Sequence, residues 1–381
     1  MRMQINILHI ITDLDTGGAE MMLYKLLAES AGKPVNQLVI SLMGEGPVQA
    51  KIEALGIEVK NLELRQGQTP KLRSFKLLRQ MIKQFQPNVI QGWMYHGNLA
   101  ASMGVMFLGV KAKVVWNIRQ TLYDFVNEKS KTRLIIRLSA WLSKRPDCIL
   151  YNSSLSRQQH EGIGFSSVKS QVIANGFDTQ KFQSETDKST RNLRSQLGVA
   201  EDVCVVIHVS RAHPMKDHIT LIAAANTLVK QCDVHFVLIG RGVSEDNPEI
   251  ANLVDLENKA NIHLLGERAD IAQLLPESDI AVQSSAWGEG FPNAIGEAMS
   301  CGLPCVVTDV GDSAMLVGDI GKVVPASSPT KMVEALSQFI QMSVGERSEV
   351  GQQSRQRIID CFTIEKISQE YHALYQQLVK D

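Results

Sequence analysis

Long hydrophobic runs are missing from this chain. The longest, LAASMGVMFLGV from Leu99 to Val110, is about twelve residues, whereas a membrane span needs roughly twenty, so no transmembrane helix is expected. The opening MRMQINILHIITDLD is broken by Asn6, His9 and Asp13 and lacks the apolar stretch of a secretory signal. Aromatic residues make up only 6 % of the chain and no nucleic-acid reader motif occurs, so a nucleic-acid partner is not expected. The phosphate-binding fingerprints GxGxxG and GxxxxGK[ST] are both absent, which removes the common dinucleotide and P-loop readings. There is no DxD-like acidic pair in a suitable loop and no His/Cys cluster, so no metal site is expected. The six cysteines are scattered, mostly inside apolar runs, as reduced buried thiols of a cytoplasmic protein would be. Cys301 and Cys305, four apart, suit a helix end packed on a strand better than a redox pair.

Net charge is also nearly absent, at −1, but the balance is uneven. From Arg65 to Arg145 fifteen Lys and Arg face two acids, Asp124 and Glu128, and the rest of the chain is correspondingly acidic. With 381 residues and 44 % hydrophobic content, the chain can fill two or three cores.

Short apolar runs alternate with amphipathic stretches almost throughout. INILHII, VNQLVISLM, IEVKNLEL, PNVIQGW, KVVWNIR and PDCILYNS read as strands; SFKLLRQMIKQFQ and KTRLIIRLSAWLSKR have helical spacing. The pattern pauses at the polar stretch Gln183–Asp202, which reads as a linker running into a short helix. It restarts with VCVVIHVS, VHFVLIG, NIHLLG, SDIAVQSS, LPCVVTDV and GKVVP, and the chain closes on the helical TIEKISQEYHALYQQLVK. This is the grammar of two doubly wound α/β domains in tandem, with ligands expected outside the carboxyl ends of the strands.

Four loops after strands carry unusual chemistry: DTGGAE, SRAHPMKD, GRG (Gly240–Gly242) and WGEGFPNAIGE. In the last, Pro292 suits a first helical turn and leaves the amides around Phe291–Ile295 free for phosphate or sugar oxygens. Glu289 and Glu297 would repel phosphate, but each carboxylate can accept two parallel bonds from a vicinal diol. A diol, a diphosphate and a second diol in series outline a nucleotide sugar. Arg211 and Lys216 in SRAHPMKD would neutralise the diphosphate, and Gly17 with Gly18 would let backbone amides approach an anion at a helix start. The competing reading leaves the two glutamates as surface acids beside a helix dipole and Arg211 and Lys216 as solvated loop charges.

The segment EGFPNAIGE, continuing into EAMSCGLPCVVTD, resembles the E-x7-E motif of GT-B-fold retaining glycosyltransferases, family 4 or group 1. TGGAE, SRAHPMKD, LLGERADI and GKVVP extend that likeness over nearly the whole chain. The resemblance implies two Rossmann-like domains facing a deep cleft. An acceptor-binding domain would cover residues 1–180 plus a returning helix 363–381, and a nucleotide-sugar-binding domain residues 181–362. It implies that Glu297 holds the ribose hydroxyls, that Glu289 with Phe291, Pro292, Asn293 and Ala294 faces the donor sugar, and that Arg211 and Lys216 stabilise the leaving diphosphate. Gly17 and Gly18 would approach the phosphates, and Arg241 and Arg268 would border the base. Many members place a histidine at the end of the strand before the cleft. Here Arg119 takes that position, and His96, on the preceding strand-to-helix loop, is a nearby substitute or a structural hydrogen-bonder.

The implied reaction moves a hexose or N-acetylhexosamine from a nucleotide diphosphate sugar, UDP-sugar favoured, to a hydroxyl of a glycan or polyprenyl-diphosphate-linked acceptor in bacterial surface polysaccharide synthesis. Configuration would be retained, without metal or other cofactor. Cations beside apolar faces in KLRSFKLLRQMIKQ and KTRLIIRLSAWLSKR make an anionic membrane surface a further candidate partner, placing the protein in the cytoplasm or peripherally on the inner membrane. A solvated basic face over core-facing stripes is the plainer alternative. A nucleotide-sugar epimerase, a glycogen-phosphorylase-like enzyme and a non-catalytic binding subunit of the same fold also remain open.

Overall fold

The computed structural model describes residues 4–65, 72–106, 108–122, 125, 129–184 and 193–380. The chain forms two compact units, residues 1–176 with 364–381, and residues 177–363. The first unit contains β1 (Ile5–Ile11), α1 (Gly18–Glu29), β2 (Val35–Ser41), α2 (Pro47–Glu53), β3 (Glu58–Asn61), α3 (Leu72–Phe85), β4 (Val89–Trp93), α4 (Met94–Val105), β5 (Lys113–Ile118), α5 (Ser130–Leu142), β6 (Cys148–Tyr151), α6 (Ser154–Gly162) and β7 (Ser170–Val172). The second contains α7 (Leu193–Leu197), β8 (Cys204–Val209), α8 (His218–Leu228), β9 (Val234–Ile239), α9 (Pro248–Ala251), β10 (Ile262–Leu264), α10 (Ile271–Leu274), β11 (Ile280–Gln283), α11 (Asn293–Ser300), β12 (Cys305–Thr308), α12 (Ser313–Val317), β13 (Lys322–Val324), α13 (Pro329–Ile340) and α14 (Val344–Cys361). The last helix, α15 (Ile364–Lys380), returns to the first unit.

Each unit is built on a parallel sheet. Strand order is β3-β2-β1-β4-β5-β6-β7 in the first and β10-β9-β8-β11-β12-β13 in the second. The order reverses beside the first strand of each sheet, between β1 and β4 and between β8 and β11. At such a switch point the adjacent crossovers leave on opposite faces and open a crevice at the carboxyl strand ends. The central strands are apolar on both sides because helices cover both faces: every residue of β4, β6, β11 and β12 is buried.

In the first unit, α1, α2 and α15 pack one face of the sheet through Leu23, Leu27, Ile52 and Ile367. On the other face, α3, α4 and α5 contribute Leu78, Ile82, Leu99 and Ile136. Gly97 lets α4 lie against β1, since a Cβ there would come within 2.4 Å of the Ile10 carbonyl oxygen. The closing helix is tied by its tyrosines: Tyr371 Oη accepts from Asn117 Nδ2 (3.0 Å) and Arg119 Nη1 (2.8 Å), and Tyr375 donates to Gln91.

The unit boundary falls at Gly176/Phe177, before the 180/181 division that the sequence suggested. Phe177 stacks on Phe291 (6.0 Å between centroids) and donates its amide to the Phe362 carbonyl (2.9 Å), both of the second unit. The stretch expected as a linker, 183–202, lies partly outside the described residues. Its described part is not loose: Leu193 is buried and its amide donates to Glu277 Oε2 at 2.7 Å.

Both units bury neutral imidazoles. Desolvation lowers the pKa of His9, His160, His218 and His263 to about 4 and that of His208 to about 3. Between pH 6.5 and about 4 the unfolded chain binds protons at these residues while the native chain does not, so stability falls as pH falls. For the most deeply buried, His9 and His208, the contribution approaches about 1.4 kcal/mol per pH unit in that window. Denaturant titrations at about pH 7 and about pH 5 should therefore show a lower midpoint at the acidic pH; an equal or higher midpoint would contradict the buried neutral assignment.

Candidate active site

The switch point of the second unit holds a pocket of about 310 Å³, counting its open mouth. His208 and Ser210 line it from the end of β8, with Lys216 from the loop that follows. Gln283, Ser285, Glu289 and the residues 292–295 complete the wall from the β11-to-α11 connection. Glu289 is the buried charge. Its carboxylate accepts from the Lys216 ammonium and from Ser285 Oγ (2.6 Å), and it is only 7 % exposed. Burial pushes its pKa upward, but the Lys216 charge and the hydrogen bonds from Lys216, Ser285 and Gln283 outweigh burial and leave it below the ordinary carboxylate value.

The backbone holds this pair in place. Ala286 N donates to the Met215 carbonyl (2.9 Å) and Ser284 Oγ to the Lys216 carbonyl (2.7 Å), docking the two loops together. Asp217 turns the chain into α8 in the left-handed region (φ 48°), and its side chain caps that helix through Thr220. Gly311 (φ 65°) lies under the Glu289 loop, where a Cβ would meet the Glu289 carbonyl oxygen at 2.3 Å. A second polar chain runs beneath. His208 Nδ1 donates to the Val282 carbonyl (2.9 Å), which leaves Nε2 to accept from Ser210 Oγ (2.8 Å), itself 3.3 Å from His218 Nε2.

Above the pair starts α11. Pro292 is its N-cap, one residue before the first turn in which the sequence placed it, and makes no side-chain cap bond. Asn293, Ala294 and Ile295 line the pocket, so the positive end of the helix faces it. Phe291, expected to face the donor, is not part of the pocket wall; its ring is buried against Phe177 and Phe362. Glu297 sits half-buried one turn along α11 and outside the pocket wall; Arg211 is exposed and also outside it. The GRG and GER loops join the Arg211 loop through backbone bonds, Ala212 N to Arg241 O (2.8 Å) and Gly240 N to Gly266 O (2.8 Å). Their arginines are engaged: Arg241 pairs with Glu267 at the surface and Arg268 with Asp270.

The first unit holds the remaining candidates around its own switch point. β4 runs into α4 without a loop, because Met94 (φ 59°) makes the turn alone, so His96 lies in the first turn of α4 and not on a connection. It is exposed. Arg119 follows β5 as expected, but its guanidinium is committed to Asn117, Tyr371 and Asn175 and lies over the Trp93 ring, 5.9 Å from its centroid. Gly17 is the extended N-cap of α1 and Gly18 its first residue. A Cβ on Gly17 would collide with the Glu20 carboxylate. The Glu20 pKa is raised, chiefly by burial and further by Asp13 and Asp15. Three acids therefore lie near this helix start.

Ser285, Gln283, His208 and Ser210 were not singled out from sequence. The signal available was polar residues closing otherwise apolar strands, as in IAVQSS and VCVVIHVS. Among the described residues no group of three or more His, Cys, Asp or Glu is arranged to hold a metal, and the pKa of the buried Cys301 thiol is pushed up to about 12 by burial.

Two Rossmann-like units, each a parallel sheet with its own switch point, are the architecture of the GT-B class of α/β proteins. The structure superposes on Anabaena HepE in complex with UDP and glucose with a TM-score of 0.80 at 23 % identity, over 98 % of this chain and 100 % of that one. On a glycosyltransferase from Rickettsia africae the TM-score is 0.83 at 16 % identity, over 99 % of each chain. Residues 16–181 match the model of Glycosyltransferase Family 4, and residues 203–342 that of Glycosyl transferases group 1. The chain belongs to this family and is a glycosyltransferase. Similar curated proteins include N-acetyl-alpha-D-glucosaminyl L-malate synthase of Bacillus anthracis, 23 % identical over 74 % of this chain and 72 % of that protein. The UDP-Gal:alpha-D-GlcNAc-diphosphoundecaprenol alpha-1,3-galactosyltransferase of Escherichia coli is 27 % identical over 68 % of each.

The Lys216–Glu289 pair makes a prediction independent of substrate. Lys216→Met strands a buried carboxylate and should cost roughly 3 kcal/mol, while adding Glu289→Gln should recover most of it. Denaturation of both single variants and the double tests this; losses that simply add would refute the coupling.

Proposed function

We propose that the protein transfers a hexose or N-acetylhexosamine, with retention of configuration, from a nucleotide diphosphate sugar to a hydroxyl of a glycan or lipid-linked acceptor in bacterial surface polysaccharide synthesis. The observation that carries this is the pocket of the second unit: a buried carboxylate, a lysine and an uncapped helix end within one small volume. The carboxylate suits sugar hydroxyls, while the lysine and helix amides suit phosphate oxygens. UDP in the related Anabaena structure and the diphosphoundecaprenol-linked acceptor in the name of the Escherichia coli relative support UDP as the sugar's carrier and a lipid-linked acceptor.

In this reading Glu289 accepts from donor-sugar hydroxyls and Glu297 from the ribose, with Arg241 and Arg268 bordering the base. Lys216 and Arg211 stabilise the diphosphate as it leaves. The bond from the anomeric carbon to the phosphate oxygen breaks with its electron pair going to the diphosphate. The acceptor oxygen bonds to the same face of the sugar, and its proton passes to the departing phosphate oxygen. Fixed cations and helix amides where this charge develops lower the barrier without a metal. Donor binding must loosen the Lys216–Glu289 pair, since both groups then have substrate partners. On the first unit, His96 offers an exposed side chain for substrate contact, Arg119 positions α15, and the amides of Gly17 and Gly18 beside Glu20 face hydroxyls. No helix among the described residues is long and apolar enough to cross a membrane; cytoplasmic placement with peripheral attachment to the inner membrane belongs to the same proposal.

Thermal-shift measurements with UDP, GDP and ADP and their sugars should raise the melting point for one nucleotide. With that donor, Lys216→Ala should reduce turnover at least about tenfold, equivalent to over 1.4 kcal/mol of transition-state stabilisation. Glu297→Ala should weaken nucleotide binding. Wild-type behaviour of Glu297→Ala would end the diol assignment, and donor binding without transfer to any acceptor would favour a binding subunit.

A further inference from the structure

Helices α3, α4 and α5 form one layer over one face of the first unit's sheet, their inner sides sharing a single apolar cluster with the strands. The outer side of such a layer is ordinarily polar. On α5 it is not. Leu134, Leu138 and Trp141, spaced i, i+4 and i+7, form a stripe that is 68 %, 41 % and 72 % exposed, while Ile136, Ser139 and Ala140 point inward. Met103 adds a further exposed apolar side chain on α4.

Charge on this layer has one sign. α5 carries Lys131, Arg133 and Arg137 beside the stripe, and α3 carries Arg73, Lys76, Arg79 and Lys83. None of the three helices contains Asp or Glu. An apolar stripe flanked by cations with no acid complements a surface that is apolar below and anionic at its boundary. A second copy of the chain fits poorly, because a two-fold interface through this layer would set like charges against each other.

We infer that the α3–α5 layer is the face by which the protein docks on an anionic lipid bilayer. Trp141, Leu134 and Leu138 enter the headgroup–acyl boundary, and the α3 and α5 cations meet lipid phosphates. This deepens the reading of a lipid-linked acceptor, but docking is measured without sugar transfer, so the two fail separately.

The test is flotation of the full chain with vesicles of phosphatidylglycerol and phosphatidylethanolamine, against vesicles of phosphatidylcholine alone. The protein should float with the anionic vesicles at low salt and be released at about 0.5 M salt, where screening is short-ranged. Leu134→Ser/Trp141→Ser should weaken binding at least about tenfold without lowering thermal stability, since both side chains are exposed in the free protein. Arg133→Gln/Arg137→Gln should weaken binding and flatten its salt dependence. Tryptophan emission should shift to shorter wavelength on anionic vesicles in the wild type and not in Trp141→Phe. The inference fails if the protein does not float at low salt, or if Leu134→Ser/Trp141→Ser floats as the wild type does. It also fails if sedimentation reveals a dimer that this double variant abolishes.

Discussion

A carboxylate removed from water remains ionised only where a positive group and hydrogen-bond donors replace its hydration. Glu289 meets that condition through Lys216 and Ser285, and much of the second unit serves to keep them there. The strand reversal between β8 and β11 sets the two loops side by side, and the serines closing β11 stitch one to the other. The left-handed turn at Asp217 then aims Lys216 toward the pocket. The charge pair therefore depends on sheet topology, and the local sequence merely decorates it.

The pocket is electrostatically two-sided. On one wall are an acceptor-only carboxylate and serine hydroxyls, and on the other the donor-rich start of α11. Lys216 balances the carboxylate, while the N-cap Pro292 brings no side-chain cap to the helix start. A ligand bearing both hydroxyls and anionic oxygens replaces internal bonds with its own, whereas a purely anionic or purely neutral ligand leaves one wall unmatched.

The two-sheet architecture was legible in the sequence because most buried strands are short apolar runs, several of them closed by Gly, Ser or Asn. Glu289 was legible for a similar reason: a carboxylate stood out against apolar surroundings, and it lines the pocket. What escaped was long-range. That Arg119 turns inward depends on Tyr371, 252 positions away. That Lys216 and Glu289 are partners depends on a loop contact across 73 positions. The acidity beside Gly17 was visible in sequence as DLDTGGAE, but its weight depends on the burial of Glu20. Phe177 belongs to the second unit through an aromatic stack that no local pattern announces.

The return of α15 to the first unit has a consequence for how the molecule is made. Ile364, Ile367, Tyr371, Leu374 and Tyr375 complete a core whose other buried members lie within the first 173 residues. As the chain leaves the ribosome, the earlier-synthesised sheet must wait with that side bare until residues 364–380 emerge. The stretch 177–363 holds its entire interior within itself and can close first. Order of birth and order of completion are thus inverted, and the nascent amino-terminal half is the part exposed longest to chaperones and to misassembly.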